Sequence, residues 1–415
     1  MNNADKLFNR NFLLLWLGQT VSLAGTQAYL VAFMFWVTEA TDRPALVGTM
    51  TMIGGLATFL SPIGGTLADR YSRKWLLVLL DLLSGAAILT LAFLFFAFPG
   101  RIPLLVTSLF VVNIIRETCT AFFHPTATAI VPDLVSPERL PGANACLETS
   151  DQVIMFVGQG AGGVLFRILG APMLFLVDGI SFVLSGISEM FIRLSSRQPV
   201  RPDAIPRQSF GEFWRQAAIG FRFVLTHPAL RIFLVVAAIY NFFQASNFVL
   251  IPFYVKDVLG RGADWYGFML GGFALGLSLG SILGGMAGYK GRARFLAMTI
   301  CLVLVGVFRG ALSLTNRPVV ATAILFAAGL STGFYGVYIT SVLQSAIPAD
   351  LRGRAIGVIT TFRWGVVPLG MGFFGIVAET TGISIPTIFL ISGCVIVAVT
   401  LWGAGRPAFR AFLST

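Results

Sequence analysis

Long apolar runs alternate with short polar connections along the whole chain. Each run has about twenty residues, enough for an α-helix to cross the roughly 30 Å of hydrocarbon in a bilayer. The pattern therefore predicts an all-α integral membrane protein with twelve transmembrane spans. The predicted spans are residues 12–37, 45–67, 75–98, 103–124, 146–168, 171–193, 229–252, 264–287, 294–314, 318–343, 355–377 and 385–404.

One long polar connection divides these spans into two sets of six. We expect an N-terminal six-helix bundle at 1–194, a cytoplasmic linker at 195–228 and a C-terminal six-helix bundle at 229–415. The second part of the linker alternates aromatic and charged residues, which predicts an amphipathic helix on the membrane surface. Residues 64–74 and 284–294 follow the second span of each half and resemble each other weakly. Such similarity indicates that the two halves are internal repeats, as in many transporters. Within each half we expect repeats of three helices.

Span 8 carries glycine at every fourth position from Gly272 to Gly288. Residues four apart lie on one face of a helix, so these glycines form a smooth stripe. The stripe predicts close packing against a neighbouring helix.

The distribution of charge explains the formal net charge of +11. With the N-terminus in the cytoplasm, most of the 29 lysine and arginine residues lie on the cytoplasmic side. This asymmetry predicts that both termini are cytoplasmic, and it removes nucleic acid as the expected partner of a basic chain. The first apolar run is too long for a cleavable signal peptide and lacks a small-residue cleavage site, so we expect it to remain as an anchor.

Motifs for enzymatic chemistry are not visible in the sequence. The four cysteines lie in or beside predicted spans without Cys-x-x-Cys spacing, which favours buried apolar packing over metal or disulfide chemistry. His124 and His227 are far apart in sequence. No glycine-rich phosphate loop with lysine and no nucleophile motif is present. We therefore expect a protein that is not an enzyme and that binds no metal or cofactor.

Polar side chains recur at intervals of three and four residues in spans 1, 4, 5, 7 and 10. A polar residue inside a bilayer must face protein or water, so each stripe marks either a helix–helix contact or a cavity wall. Five such stripes together favour a shared polar cavity. Aromatic and amide side chains with few net charges suit an amphipathic organic ligand. The predicted cavity residues are Gln19, Thr26, Tyr29, Phe33, Asn113, Gln152, Gln159, Tyr240, Asn241, Gln244, Asn247, Tyr335 and Tyr338.

A charged turn joins spans 2 and 3, where residues 65–74 read GTLADRYSRK. Its order, spacing and flanking spans resemble the signature loop of the major facilitator superfamily of transporters, with Ser72 in place of the usual glycine. Spans 1, 4, 7 and 10 line the central path in that family. The resemblance implies that Asp69 docks at the start of span 11 when the cytoplasmic side is closed. The residues with an implied gating role are Gly65, Asp69, Arg70, Arg73 and Arg354.

Further segments resemble the branch of this family that contains bacterial macrolide and siderophore exporters. Residues 131–145 resemble its loop between spans 4 and 5, residues 175–182 its span 6, and residues 348–354 its loop between spans 10 and 11. The glycine-rich run 158–163 keeps the spacing of a drug-exporter motif, but Gln159 replaces its proline. That departure weighs against obligatory antiport.

A proton carrier in such a protein is an acid inside the membrane that reaches water. Glu117 lies near the middle of span 4 on its polar stripe and is the first candidate, with Asp151 and Asp178 next. Drug exporters commonly carry an arginine in this part of span 4, and Arg116 matches it. A purely structural pair between Arg116 and an acid is the alternative.

The sequence thus predicts a proton-coupled exporter of an amphipathic organic molecule, such as a drug, macrolide or siderophore, in the bacterial inner membrane. Its expected partners are that substrate, protons and the lipid bilayer. A metabolite importer or facilitator of the same fold, and a membrane sensor or scaffold without turnover, remain as alternatives.

Overall fold

The computed structural model describes residues 7–193, 210–348 and 351–414, and all regular structure in these ranges is helical. The all-α fold predicted from the apolar runs is therefore confirmed. The α-helices are α1 (Arg10–Thr41), α2 (Pro44–Leu56), α3 (Ser61–Arg70), α4 (Arg73–Ala97), α5 (Ile102–Leu134), α6 (Leu140–Met190), α7 (Phe210–Thr226), α8 (Pro228–Phe253), α9 (Ala263–Ala287), α10 (Gly291–Ala311), α11 (Pro318–Ala346), α12 (Arg352–Thr380), α13 (Ile385–Ala404) and α14 (Pro407–Ser414).

Eleven helical segments in the described ranges are long and apolar enough to cross a membrane. The longest, Pro137–Met190, contains a break at Gly170, whose φ of 75° and ψ of 169° are not helical. Glycine adopts this backbone conformation without the steric penalty that a Cβ would bring, and Pro172 then fits the first turn of the new segment. Counted as two, this element gives the twelve spans expected from the sequence.

The helices extend beyond the apolar runs that predicted them. The run at 103–124 lies in α5, which continues to Leu134 through Pro125 and Pro132. The run at 45–67 is divided into α2, a 3₁₀ turn at Ala57–Leu60 and α3. Hydropathy marks only the part of a helix that lies in hydrocarbon, so it cannot locate ends that project into the interface.

The amphipathic helix predicted in the linker is α7, while the residues at 195–209 lie outside the described ranges. Val224 is fully buried, and the ring of Phe221 stacks on Phe362 of α12 at 5.7 Å between centroids. Gly220 packs against the backbone of Arg354, where a Cβ would lie 2.7 Å from the carbonyl oxygen. The apolar face of α7 therefore packs partly on α12, and not only on the membrane surface as expected.

The chain forms two compact units. Unit 1 comprises Met1–Asp42, Ile53–Pro202 and Gly262–Gly271, and unit 2 comprises Arg43–Met52, Asp203–Arg261 and Gly272–Thr415. The first residues of α2 thus belong to unit 2, and the first residues of α9 to unit 1. The expected boundary at the linker remains a prediction.

The glycine stripe of α9 packs against α11 in unit 2. Side chains on Gly276 or Gly280 would collide with the carbonyl oxygens of Phe326 and Leu330. Glycines of α11 approach the backbone of α9 in the same way, so the two helices interlock through both stripes. The predicted close packing is confirmed for four of the five glycines. The fifth, Gly288, lies beyond the end of α9 with a positive φ of 59°.

Candidate functional site

A buried charge cluster forms in unit 1 where α1, α5 and α6 meet. Arg116 of α5 is 3% exposed, and its Nη2 donates to Oε1 of Glu117 at 2.6 Å. Its guanidinium carbon lies 4.5 Å from the centroid of the Tyr29 ring on α1, a cation–π distance. Asp178 of α6 interacts electrostatically with the same arginine. The structure thus brings together three sequence-predicted groups, namely Arg116, Glu117 and Asp178, around the predicted cavity residue Tyr29.

Close approach of α1 and α6 explains how Asp178 is buried. A side chain on Gly25 of α1 would collide with the hydroxyl of Ser181 and would lie 2.7 Å from Oδ1 of Asp178. Asp178 is 0% exposed, and neither carboxylate oxygen has a hydrogen-bond partner within the described residues. Its charge is balanced by Arg116 across the helix interface, not by direct hydrogen bonds.

Glu117 differs from Asp178 because its side chain remains 28% exposed. Gly54 of α2 allows this region of α5 to pack closely, since a Cβ there would lie 3.1 Å from Cγ of Glu117 and would collide with Asn113. Among these acids, Glu117 therefore combines a direct ion pair to a buried arginine with access to its surroundings. This is the geometry required of a group that exchanges a proton.

Asp151 lies apart from this cluster. It is exposed on α6, and its electrostatic neighbours are Glu148 and His124. Glu148 also accepts a hydrogen bond from Nε2 of the predicted cavity residue Gln152 at 3.3 Å. The structure therefore separates Asp151 from the other predicted proton-coupling residues.

The remaining predicted cavity residues of unit 1 lie along α1 and α6. Gln159 donates through Nε2 to Oε1 of Gln27 at 3.1 Å. Gln19 and Thr26 are partly buried, whereas Phe33 is 1% exposed and stacks on Tyr29 with 6.1 Å between ring centroids. Gln19, Thr26 and Phe33 lie along one stretch of α1, but Phe33 packs within the unit.

Unit 2 contains a buried arginine, Arg309, that is not among the site residues predicted from the sequence. Arg309 of α10 is 3% exposed. Its Nη2 donates to the carbonyl oxygen of Phe243 at 2.9 Å and to the hydroxyl of Ser246, and its Nη1 donates to Oε1 of Gln244 at 3.2 Å. A small cavity beside it is lined by Gln244, Asn247 and Phe308, among others. Two predicted cavity residues, Gln244 and Asn247, thus border the same hollow.

The other predicted polar residues of unit 2 have mixed roles. Asn241 is buried, and its amide donates to the carbonyl oxygen of Ala237 in its own helix. Tyr240 lies near Arg309 and Arg363. Tyr335 is 8% exposed, and Tyr338 accepts a hydrogen bond from the backbone N–H of Tyr289 at 3.0 Å. Asn241 and Tyr338 therefore stabilise local structure in addition to any role in a cavity.

The signature stretch at 65–74 is mostly helical. Asp69 and Arg70 lie in the last turn of α3, Tyr71 and Ser72 form the connection, and α4 begins at Arg73. A turn of ten residues, as the sequence suggested, is therefore too long. The other predicted gating residues, Gly65 and Arg354, lie in α3 and in the first turn of α12.

Arg73 holds this connection through several contacts in unit 1. Its Nη1 donates to Oδ2 of Asp133 and to the carbonyl oxygen of Ala129, both at 2.8 Å, and its Nη2 lies 3.8 Å from Oδ1 of Asp69. Arg73 therefore pairs with acids of both α3 and α5. The docking of Asp69 at the start of α12 remains a prediction.

The sequence patterns used above did not identify three buried polar residues that the structure reveals, and they were missed for two different reasons. Glu189 and Arg309 are isolated charges within apolar runs, and an ionisable residue in such a run is a functional candidate by default. Gln27 follows Thr26 directly and falls outside the stripe of three- and four-residue steps. No group of three or more histidine, cysteine, aspartate or glutamate residues suited to a metal ion occurs within the described ranges.

Solved structures share this fold along the whole chain. A nucleoside transporter, NupG, matches with a TM-score of 0.72 and 15% identity, covering 100% of both chains. A bacterial homologue of the iron transporter ferroportin matches with a TM-score of 0.72 and 16% identity, covering 96% of this chain and 100% of the other. At these identities the similarity concerns the fold alone.

Sequence relatives confirm the resemblance to the drug-exporter branch. Macrolide efflux protein A of Streptococcus pyogenes is 25% identical over 399 residues, covering 94% of each chain. Multidrug efflux pump Tap of Mycolicibacterium fortuitum is 25% identical over 377 residues, covering 87% of each. The family model of the major facilitator superfamily matches residues 15–371. With its helical membrane-spanning fold, the chain belongs to the major facilitator superfamily.

Proposed function

We propose that this protein is a secondary active transporter of the bacterial inner membrane that exports an amphipathic organic molecule in exchange for protons. The observation that carries the proposal is the ion pair between Arg116 and the partly exposed Glu117, beside the buried Asp178. Relatives named as macrolide and multidrug exporters support the direction of transport and the class of substrate.

Glu117 is the proposed proton carrier of this exchange. When Glu117 is ionised, its charge and that of Arg116 offset each other inside a poorly solvated region. When it is protonated, Arg116 can turn to Asp178, whose carboxylate oxygens accept no hydrogen bond in the described residues. Proton binding would then rearrange the contact between α5 and α6 near Tyr29. Such a change links protonation to the packing of the helices that carry the predicted cavity residues.

The proposed substrate carries apolar surface with a few polar groups. The predicted cavity residues are mainly amides and aromatics, such as Gln159 and Tyr29 in unit 1 and Gln244, Asn247 and Tyr240 in unit 2. Amides both donate and accept hydrogen bonds, and aromatic faces bind apolar surface and cations. These groups suit a macrolide or an amphipathic drug better than a phosphorylated compound.

The test is transport by the purified protein in liposomes under an imposed pH gradient, with a panel of macrolides and amphipathic dyes. Glu117→Gln keeps the shape of the side chain but cannot bind and release a proton. We expect this variant to bind substrate with wild-type affinity and to lose uphill transport. Glu138→Gln is the matched control, since Glu138 is an exposed acid near the start of α6, and it should transport normally.

Other results of this assay would identify the alternatives. Equilibration of substrate without any response to the pH gradient would indicate a facilitator. Accumulation in the opposite direction would indicate an importer, and binding without flux would indicate a sensor or scaffold. Uphill transport by Glu117→Gln at the normal rate would contradict the assignment of the carrier.

The proposal includes a topology with both ends of the chain in the cytoplasm. Most of the lysine and arginine residues then lie on the cytoplasmic side, as the positive-inside rule requires. Reporter fusions within 195–209 and after Arg410 should both report a cytoplasmic location. A periplasmic signal from either fusion would overturn this orientation.

A further inference from the structure

A second group of buried acids lies in unit 1, between α4 and α6. Asp81 of α4 is 2% exposed, and Glu189 in the last turn of α6 is 0% exposed. The two helices approach closely at Gly186, where a Cβ would lie 3.4 Å from Cβ of Asp81. Glu189 follows Gly186 by three residues and shares its helix face, so the two carboxyl groups interact electrostatically.

The surroundings of this acid pair are neutral. Ser84 and Cys119 lie beside Asp81, and Ser185 of α6 faces it. Oδ2 of Asp81, both carboxylate oxygens of Glu189 and the hydroxyl of Ser185 are buried without a hydrogen bond of normal geometry in the described residues. Ser185 is thus the side chain of α6 that can donate to Asp81, and the carboxylate oxygens of Glu189 have no donor in the described residues.

Within the described residues, the groups that interact electrostatically with the two acids include no cation. From α5, Cys119 is the titratable group that faces the pair, while Arg116 on the same helix pairs with Glu117 and interacts with Asp178. From α1, Gly18 packs on Ser185, with a built Cβ 3.1 Å from the hydroxyl oxygen. Neither Asp81 nor Glu189 takes part in an ion pair within the described ranges.

Two ionised carboxylates cannot be stable here. Burial penalises each charge, and the second charge adds repulsion that no cation offsets. A shared proton removes one charge and supplies a hydrogen-bond donor to the remaining carboxylate, as in other close acid pairs. A bound metal ion such as Ca²⁺ requires six to eight oxygen ligands, more than two carboxyl groups and two serine hydroxyls provide.

We propose that Asp81 and Glu189 form a second proton-binding site, which holds one proton between the two carboxyl groups and is separate from the Arg116 cluster. The proton joins α4 to α6 at the end of α4 that carries Arg73. Release of this proton would leave two like charges at the helix contact and would weaken it. The site therefore makes the packing of α4 on α6 dependent on proton binding.

Infrared difference spectroscopy of the substrate-free protein in lipid nanodiscs tests this proposal. At neutral pH the wild type should show the C=O band of a protonated carboxyl group, shifted in heavy water. The band should shift in frequency in both Glu189→Gln and Asp81→Asn, because each variant leaves one buried carboxyl group without the carboxylate that accepts its hydrogen bond. Asp178→Asn is the matched control, since it neutralises a buried acid of the same unit outside the pair, and it should retain the band.

Several outcomes would overturn the proposal. Absence of any protonated carboxyl band in the wild type would contradict it without any variant, and so would a band whose frequency in both variants is the same as in the wild type. A band that disappears when sodium chloride replaces potassium chloride would assign the site to a metal cation. If one variant fails to fold, the other variant still tests the assignment of the band. Isotope labelling of glutamate or aspartate in the wild type then shows which residue type carries the band. Because Glu117→Gln should retain the band, failure here is distinguishable from failure of the proposed transport mechanism.

Discussion

The two units differ in which charged side chains they bury and in what surrounds those side chains. In the described part of unit 1 the buried carboxylate and guanidinium groups are those of Asp81, Asp178, Glu189 and Arg116. In the described part of unit 2 they are those of Arg294 and Arg309, with no buried acid. Arg116 in unit 1 therefore lies beside acids, whereas Arg309 in unit 2 is surrounded by neutral dipoles.

Arg309 illustrates the arrangement in unit 2. Its donors reach the carbonyl oxygen of Phe243, the amide of Gln244 and the hydroxyl of Ser246, and its guanidinium lies 5.4 Å from the centroid of the Phe389 ring. None of these partners changes its charge with pH. In unit 1, by contrast, the carboxyl groups beside Arg116 can lose their charge by binding a proton.

Substitution of each buried arginine should show the difference between the two units in the pH dependence of stability. These substitutions have the largest expected effect on the unfolding free energy. Arg116→Leu leaves Asp178 and Glu117 without a counter-charge, at a cost of about 3–5 kcal/mol in unfolding free energy. Acid pH should relieve part of this cost, because protonation removes the stranded charges. Arg309→Leu strands only neutral acceptors, so its loss of stability should be independent of pH. Thermal unfolding in detergent across a range of pH measures both.

A double variant supplies the control for this experiment. Arg116→Leu combined with Asp178→Asn removes a charge together with its buried partner, so it should be more stable at neutral pH than Arg116→Leu alone. Equal pH dependence of the Arg116 and Arg309 variants would contradict the distinction between the units.

The helix contacts of the two units should also differ in their tolerance of added volume. Gly280 in unit 2 faces the backbone of Leu330, whereas Gly186 in unit 1 faces side-chain atoms of Leu82 at 3.2 Å from a built Cβ. Backbone cannot move aside without separating α9 from α11, so Gly280→Ala should cost about 1–3 kcal/mol. Gly186→Ala should cost less, because a leucine side chain can change rotamer.

Gly285 provides a matched control within α9. A Cβ at this position meets nothing within 4 Å, so Gly285→Ala should leave the unfolding temperature at or slightly above that of the wild type. If Gly280→Ala proved equally harmless, the interlocked glycine stripes would not be a determinant of stability.

Sequence patterns could predict the helices because each apolar run must satisfy its backbone hydrogen bonds within the membrane. The last span, 385–404, coincides with α13, Ile385–Ala404. The same patterns could not predict the break at Gly170 or the 3₁₀ turn at Ala57–Leu60, because these depend on local backbone conformation and tertiary packing. Helix ends outside the hydrocarbon carry no hydropathy signal.

The candidate site was predictable in part. The polar stripe of span 4 led to Arg116 and Glu117, and the structure places them against Asp178 of another helix. Periodicity cannot show which helices are neighbours, so the separation of Asp151 from this cluster was not predictable. The pairing of Asp81 with Glu189 depends on where Gly186 lets α4 approach α6, which one helix alone does not reveal.

A substitution in the signature stretch at 65–74 should change the rate of transport more than the stability of the protein. Asp69 is 59% exposed and lies 3.8 Å from Arg73, so Asp69→Asn should change unfolding free energy by less than about 1 kcal/mol. If Asp69 docks at the start of α12 during the cycle, the same variant should slow turnover several-fold while substrate affinity stays constant. Transport rate and binding, measured on the same preparation, separate these effects.

Asp133→Asn is the comparison for this prediction. Asp133 makes the shorter contact with Arg73, at 2.8 Å, and should therefore contribute more to stability than Asp69 does. Wild-type turnover by Asp69→Asn would exclude its docking role.

The smallest effects are expected from two exposed ion pairs, one in each unit. Arg167 in unit 1 donates to Oδ2 of Asp264 at 2.7 Å, and Arg43 in unit 2 donates to Oε1 of Glu379 at 3.0 Å. The arginine side chains are 70% and 64% exposed, so each pair should contribute about 0.2–1 kcal/mol, less at high salt.

The two acids should nevertheless differ. Oε2 of Glu379 also accepts a hydrogen bond from the backbone N–H of Ala45 at 2.9 Å, in the first turn of α2, where a negative charge is favourable. Glu379→Gln should therefore destabilise the protein more than Arg43→Ala, and part of its effect should persist at high salt. Thermal unfolding at low and high salt, with Arg167→Ala and Asp264→Asn as the corresponding pair, measures the difference. Identical losses for Arg43→Ala and Glu379→Gln would mean that the carboxylate acts through the arginine alone and not on the start of α2.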